Sequence, residues 1–321
     1  MTKTIIRRIL ILIPQLIVLS LALFLLADAI PGDAIMGMAG QYASPEEVEA
    51  MRQAAGLGGT WYELYFRWLG NMLRGDFGRS IVQNTTVADL IGNRIHNTIM
   101  LSLLGTVFSL AIAFPLGIIA ARYARKWQDQ TILTSLFVTQ AIPTIALAVL
   151  SIWIFALQLG WFPRGGSVNV LIPATDTWAI FWSRLHHLLL PALVLAVLGN
   201  LGTVFTLRAQ IIDNASSAYV TTAKSKGVPT RVIYGKHIMR NSLLPFAQGI
   251  PFLVIGLLTG SVFIERLFSF PGMGDLLVGA MGARDFPVVN ALVVFYGITT
   301  VIGILLGDIM LTIVDPRIRV K

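Results

Sequence analysis

The sequence predicts an all-α membrane protein with six transmembrane helices. Of its 321 residues, 55% are hydrophobic and 12% are charged, whereas soluble domains carry roughly 25% charged residues. A helix needs about 20 apolar residues to cross the hydrocarbon core of a bilayer, and six stretches of that order contain no charged residue. These stretches are residues 9–27, 95–121, 130–163, 185–207, 241–264 and 286–307.

Three of these stretches need comment. The first follows three basic residues and precedes Ala27-Asp28-Ala29, as in a secretory signal. Its apolar length exceeds the roughly 7–15 residues of a signal core, so we expect it to remain as the first membrane helix. The third is longer than one span, and its end near Trp161 fits an exit at the headgroup level, where Trp is favoured. The last is expected to continue past Asp308 to Val314.

Basic residues concentrate on one side of the predicted spans. With the N-terminus inside, the inner segments hold 15 Lys and Arg residues and three acids, while the outer segments hold nine and 12. Because Lys and Arg are enriched in cytoplasmic loops, this asymmetry predicts that both termini are cytoplasmic. The net charge of +8 is thus explained by membrane topology, and no nucleic-acid partner is predicted.

The long outer segment, residues 29–94, is predicted to contain helices. Ser44 suits the N-cap of a helix that has Pro45 in its first turn and Glu46 and Glu47 near its positive end. Five aromatic residues follow at a spacing that suits a helix lying at the membrane interface. We favour packing over the bundle as the role of these residues, and docking of a partner is the alternative. They are Trp61, Tyr62, Tyr65, Phe66 and Trp68.

The long inner segment, residues 208–240, predicts two helices joined at a glycine. Residues 215–226 are expected to form a short helix, which ends because Gly227 can adopt a positive φ and Pro229 cannot continue it. Thr230 is predicted to cap a second helix over residues 231–242. The basic composition of this element suits contact with another protein.

One stretch of this segment has a recognisable pattern: Ala-Tyr-Val-Thr-Thr-Ala-Lys-Ser-Lys-Gly at 218–227, followed by His237 and by Arg-Asn-Ser-Leu-Leu-Pro at 240–245. It resembles the cytoplasmic coupling motif of ABC importer permeases, with the spacing of the oligopeptide/dipeptide/nickel family. Members of that family typically have Arg-Ala-Lys-Gly at the position of residues 224–227. They often carry an acid before the Tyr, where Ser217 and Ala218 stand here.

Further stretches match the same family in the same order along the chain. These are residues 31–33, 75–80, 268–274, 284–289 and 315–319. At residues 56–59 the chain has Gly-Leu-Gly-Gly instead of the usual Gly-Leu-Asp-x-Pro, a departure that affects local loop detail. The matches therefore extend over nearly the whole chain.

The resemblance implies a bacterial inner-membrane subunit of an ATP-binding-cassette importer that forms a pathway for oligopeptides or dipeptides by alternating access. It implies a heterodimer with a second homologous permease, two cytoplasmic ATPase subunits that use ATP and Mg, and an extracytoplasmic solute-binding protein. The chain itself is expected to be no enzyme and to bind no cofactor. The residues implied to couple to the ATPase are Ala218, Tyr219, Ala223, Lys224, Lys226, Gly227 and Arg231.

The resemblance also suggests a division of the chain into two regions. Residues 1–98 would hold the first membrane helix and the long extracytoplasmic loop. Residues 99–321 would form a five-helix permease core that contains the coupling loop, residues 209–245. Nickel and glutathione are alternative substrates, but the chain has no Cys and no convincing cluster of His and acids for nickel, so peptides are favoured.

Two other candidate sites, for a nucleotide and for a metal ion, are not supported by the sequence. The sequence lacks a phosphate-binding loop, because residue 230 is Thr where Gly would be required before Lys236. His186 and His187 are favoured as interface anchors over metal ligands, since neighbours on a helix point in different directions.

Three residues of the last span are candidates for a pathway or for packing. Asp308 is an intramembrane acid, a type that is usually functional. It would serve a secondary transporter driven by an ion gradient, or simply lie capped near the cytoplasmic mouth, which we favour. Gly303 and Gly307 allow close helix approach and are interpreted as packing residues.

Overall fold

A computed structural model describes residues 44–54 and 58–314, together with residues 10, 14–18, 20–22, 24 and 25 of the first predicted span. The described part is helical, and its only extended pairing is an isolated bridge between Arg79 and Thr86. The helices are α1 (Pro45–Ala54), α2 (Trp61–Leu73), α3 (Val87–Arg122), α4 (Trp127–Ala141), α5 (Thr144–Ser151), π1 (Ile152–Gln158), α6 (Thr177–Ala215), α7 (Ala218–Ser225), α8 (Thr230–Val232), π2 (Ile233–Ile238), α9 (Met239–Ser242), α10 (Leu244–Thr259), α11 (Val262–Leu267), α12 (Met273–Gly282) and α13 (Phe286–Val314).

Four helical segments of the described part are long and apolar enough to cross a membrane: α3, α6, α10 with α11, and α13. They confirm the second, fourth, fifth and sixth predicted spans, and α13 runs to Val314 as expected. Counting the bent pair formed by α4 with α5 and π1, the number rises to five. Residues 9, 11–13, 19, 23, 26 and 27 of the first predicted span, and the matched stretches 31–33 and 315–319, lie outside the described residues.

The third predicted span is wrong as a single helix. The chain bends by 95° between α4 and the helix over Thr144–Gln158. Ile142 has extended backbone angles, φ −78° and ψ 123°, because a residue that precedes proline is disfavoured in the helical region. The fifth span is also interrupted, at Gly260, whose φ of 64° suits glycine.

Helices α3 and α6 form the central pair and run parallel. Gly105 and Gly117 of α3 lie against Leu195 and Leu207 of α6, and between these contacts Ser109 donates a 3.0 Å hydrogen bond to Asn200. Small residues let two membrane helices approach closely, and a buried polar pair fixes their register. We call the end of this pair that holds Arg122 and Ala215 the lower end, and the end that holds Val87 and Thr177 the upper end.

Helices α10 and α13 pack in antiparallel fashion through the two glycines singled out in the sequence. A side chain at Gly303 would collide with Ile255 of α10, and one at Gly307 would lie 3.1 Å from the ring of Phe252. Close approach at these glycines therefore occurs within one chain. Asp308 follows on α13, and its side chain lies outside the described residues.

In the long segment before α3, helix α1 begins where the sequence predicts. Ser44 N–H donates to Glu47 Oε2 over 2.8 Å, and Glu47 N–H donates to Ser44 Oγ over 3.2 Å, so the two residues cap α1 reciprocally. Hydrogen bonding of the Glu47 carboxylate with the backbone and the side chain of Ser44 lowers its pKa. In α2 the Tyr65 side chain is buried and its hydroxyl lies 3.0 Å from the Ser20 hydroxyl. Packing is thus confirmed for Tyr65, while Trp61, Tyr62 and Phe66 are exposed.

Candidate functional site

The predicted two-helix element is present at the lower end. Its first helix is shorter than the predicted range, residues 215–226. Helix α6 continues to Ala215, so α7 begins only at Ala218. Gly227 has φ 70°, which confirms the predicted positive φ. Its N–H donates to the Lys224 carbonyl over 3.0 Å, and Val228 N–H donates to the Ala223 carbonyl over 3.1 Å, so the carbonyls at the end of α7 are satisfied.

The predicted cap at Thr230 is wrong, because Thr230 is the first residue of α8. Pro229 precedes the helix with φ −56° and ψ 138°, and its carbonyl accepts from Val232 and Ile233 N–H at 2.9 and 3.1 Å. The proline ring presets this φ, so the helix starts one residue early. The middle of the second helix, π2, has the wider π-helical winding.

The base of α7 is anchored in an apolar cluster at the lower end. Val220, Ile233 and Ile238 are each 1% exposed and pack with Leu207 and Ile211 of α6. Burying an aliphatic side chain contributes about 1.5–3 kcal/mol, so three such residues hold α7 firmly on α6 and π2. Val220 is not among the coupling residues predicted from the sequence. The sequence feature that indicates burial of Val220 is its position as an apolar residue three positions before Ala223, on one face of an otherwise polar helix.

A chain of hydrogen bonds also joins α7, α6 and α9. The Tyr219 hydroxyl donates to Asn214 Oδ1 over 3.0 Å. Asn214 Nδ2 donates to the Gln210 carbonyl at 2.8 Å and to Ser242 Oγ at 3.3 Å. Because α10 begins at Leu244, these bonds connect α7 to the segment that immediately precedes that membrane helix.

Most of the predicted coupling residues face outward on this anchored element. Ala218, Tyr219, Lys224, Lys226, Gly227 and Arg231 are exposed, and Ala223 is half-buried against the apolar cluster. Among the ion pairs formed within the described residues, none involves Lys224, Lys226 or Arg231. The arrangement therefore presents three cations on a rigid projection.

At the upper end the structure reveals a buried carboxylate that the sequence analysis missed. Glu265 of α11 is 0% exposed and directly follows the fifth predicted span, residues 241–264. The Thr98 hydroxyl donates to Glu265 Oε1 over 2.9 Å, and the N–H groups of Gly274 and Asp275 donate to Oε2 at 2.6 and 3.2 Å. Glu265 thereby fastens the first turn of α12 to α3.

A second carboxylate joins two of the stretches that carried the family resemblance. Asp285 is buried and accepts a hydrogen bond from the Ser80 hydroxyl. It also accepts from Ile81 and Val82 N–H at 3.2 and 3.3 Å. Residues 75–80 and 284–289 therefore meet at the upper end.

The adjacent histidines each contact a backbone carbonyl. His186 Nε2 lies 2.8 Å from the Trp161 carbonyl, and His187 Nδ1 lies 2.7 Å from the Ser183 carbonyl. These contacts fit anchoring of the segment near Trp161. Within the residues that the structure describes, no group of three or more His, Cys, Asp or Glu side chains could hold a metal ion.

Two family models match the chain. Residues 113–320 match the binding-protein-dependent transport system inner membrane component, and residues 1–102 match the N-terminal part of the membrane component of such systems. Together the two matches extend over nearly the whole sequence.

Several curated proteins are similar over their full length. The oligopeptide transport system permease protein AppB of Bacillus subtilis is 36% identical, covering 99% of this chain and 100% of that protein. The glutathione transport system permease protein GsiC of Escherichia coli K12 is 33% identical, over 100% of both chains. A putative peptide transport system permease protein of Brucella abortus is 35% identical, over 99% of both.

A solved structure has the same fold. A chain of the MetNI methionine ABC transporter, in an inward-facing conformation, aligns with a TM-score of 0.54 at 14% identity, and covers 70% of this chain and 96% of that one. At this identity the likeness concerns the fold alone.

Proposed function

Because the chain belongs to the family of binding-protein-dependent transport system inner membrane components, a family of ABC importer permeases, we propose that it forms half of a peptide pathway driven by partner ATPases. The observation that carries this proposal is the exposed, anchored helix α7. The outward cation of α7, the two cations that follow it at Lys226 and Arg231, and its buried base suit a lever that a partner subunit can bind and move as a unit.

The proposed assembly has separate parts for energy, pathway and capture. A second homologous permease completes the pathway, two ATPase subunits bind α7 and its counterpart, and a solute-binding protein delivers substrate to the upper end. ATP and Mg act on the ATPases. Residues 99–321 form the permease core, residues 209–245 the coupling loop and residues 1–98 the outer region, with α3 shared between core and outer region.

The lower end is proposed to face the cytoplasm, with both termini on that side. The support is the excess of Lys and Arg in the segments that the fold places at this end, such as Arg122 and Arg240, because basic residues are retained on the cytoplasmic side. The upper end would then face the solute-binding protein.

Peptides are the proposed substrate class. AppB is named for oligopeptide transport, GsiC for glutathione and the Brucella protein for peptides. Glutathione is a second candidate because GsiC aligns over the full length of both chains. The test is uptake of radiolabelled di- and oligopeptides into proteoliposomes that contain the complex copurified with this chain, with glutathione and Ni²⁺ as competitors.

Uptake that requires ATP and proceeds without an ion gradient supports the importer. The Asp308→Asn variant should transport at the wild-type level, because Asp308 has no role in energy supply in this proposal. Uptake that needs an ion gradient and Asp308, but no nucleotide, would instead identify a secondary transporter.

Charge reversal on the exposed face of α7 is expected to weaken coupling. In the proposed assembly Lys224 and Lys226 meet acidic side chains of the ATPase. Lys224→Glu or Lys226→Glu would then bring like charges together, so substrate-stimulated ATPase activity should fall about tenfold, as expected for a loss of roughly 1–2 kcal/mol in an interfacial charge pair. Arg74→Glu, at an exposed cation that ends α2, is the control. The lever role is wrong if both α7 variants hydrolyse ATP and transport peptide like wild type.

A further inference from the structure

A buried ion pair joins α4 to α6 at the lower end. Arg208 of α6 donates from Nε to Asp129 Oδ1 and from Nη2 to Oδ2, each over 2.7 Å. The Asp129 side chain is 2% exposed and the Arg208 side chain 21%. Two parallel bonds between guanidinium and carboxylate fix the relative orientation of the two groups as well as their distance.

The same carboxylate also holds the turn that precedes α4. Arg125 N–H donates to Asp129 Oδ2 over 2.7 Å, and Arg125 has φ 65°, a conformation that is uncommon outside glycine. Asp129 therefore fastens both the α3–α4 turn and the start of α4 onto α6.

Arg208 lies next to the anchor of α7. It follows Leu207 and precedes Ile211 by three residues, and both apolar side chains pack with Val220 of α7. Asn214, which accepts a hydrogen bond from the Tyr219 hydroxyl, lies six residues after Arg208 on α6. The lower end of α6 therefore contacts α7 through Leu207, Ile211 and Asn214, and it contacts α4 through Arg208.

Helix α4 continues along α6 before the chain bends. Leu136 of α4 packs in one buried cluster with Val204 of α6, and the rings of Phe137 and Phe205 lie 5.2 Å apart. The 95° bend follows, after which α5 packs toward α11 and the upper half of α6. Packing along α6 therefore connects the start of α4 with the second half of the broken third span.

We propose that Asp129 and Arg208 are positioning residues that make α4 a second arm of the coupling element, so that α7 drives the broken span as well as α10. This inference rests on the proposed function. It assigns to the α3–α4 turn and α4 a share of the motion that the ATPase imparts, through a rigid link with a specific geometry.

The first experiment measures ATP hydrolysed per peptide transported by the reconstituted complex. Asp129→Asn and Arg208→Gln should raise this ratio about 3- to 30-fold, the range expected when residues between two coupled sites are altered. The ratio for Arg208→Lys should lie between those of wild type and Arg208→Gln, because lysine keeps the charge but donates from one nitrogen. Arg122→Gln, which removes a nearby exposed cation that stacks on Tyr123, should leave the ratio unchanged.

A second experiment needs no substitution of the pair. The chain has no cysteine, so spin labels introduced by Thr131→Cys on α4 and Ser225→Cys on α7 are the only labels once partner cysteines are replaced. The label–label distance should be the same in the nucleotide-free and ATP-trapped complexes, because the two helices move together. In the Asp129→Asn background the distance should differ between these states.

The outcomes separate this inference from the proposed function. A wild-type complex without ATP-dependent uptake overturns both. A wild-type complex that transports, with an α4–α7 distance that changes on ATP binding, overturns the inference alone, as do pair variants with a normal ratio. If a pair variant fails to assemble, the wild-type distance measurement still decides.

Discussion

Replacing Gly227 by proline is expected to reduce ATP-driven uptake about a hundredfold while the protein still inserts into the membrane. Gly227 has φ 70°, and proline is locked near −65°. Proline also lacks the N–H that donates to the Lys224 carbonyl. Such a misfit costs about 3 kcal/mol, which corresponds to a factor of about 100 in the population of correctly formed α7.

The Gly227→Asn variant is the matched control. Asparagine tolerates the left-handed conformation, and no atom lies within 4 Å of a Cβ added at this position. Uptake by this variant should therefore stay within about fivefold of wild type, given a conformational cost of about 1 kcal/mol or less. Both variants are assayed at equal amounts in proteoliposomes. Equal uptake by the proline and asparagine variants would show that the geometry at the end of α7 is irrelevant to transport.

Replacing Glu265 by alanine should destabilise the upper end by about 3–5 kcal/mol. The substitution removes the acceptor of the Thr98 hydroxyl and of the Gly274 and Asp275 N–H groups, and each buried donor left without a partner costs about 1–3 kcal/mol. In thermal unfolding of the detergent-solubilised complex, the Tm should fall by roughly 5–10 °C.

Two variants bracket this result. Glu265→Gln retains an acceptor oxygen and the side-chain volume, so its Tm should lie between those of wild type and Glu265→Ala. Glu46→Ala removes an exposed acid from the first turn of α1 and should lower the Tm by about 2 °C or less, as typical for surface positions. A Glu265→Ala complex that melts with wild type would contradict the role assigned to this carboxylate.

The sequence predicts the membrane helices well but not their breaks. Apolar length identifies α3, α6 and α13, since each lies over a charge-free run. Proline does not locate the breaks, because Pro115, Pro191 and Pro251 lie inside continuous helices, whereas the chain bends at Pro143. Whether a helix survives proline depends on how neighbouring groups satisfy the freed carbonyl, and this is a tertiary property.

The candidate site was predictable on its surface and not at its base. Exposed cations and the glycine of the coupling loop are local features of residues 218–231. The contacts that fix the loop are distant in sequence: Arg208 pairs with a residue 79 positions away, and Glu265 pairs with one 167 positions away. A single sequence contains no signal for such pairs, so the deep carboxylates Asp129 and Glu265 could be counted but not matched with their partners.

The most direct test of the lever is the environment of Lys224 in the assembled transporter. The Lys224→Cys variant of this cysteine-free chain is treated with a membrane-impermeant maleimide in right-side-out vesicles, and with a short bifunctional crosslinker in inverted ones. We expect no labelling in the former and a covalent adduct with an ATPase subunit in the latter. Labelling from outside intact right-side-out vesicles, or a purified complex without any ATPase subunit, would contradict the account.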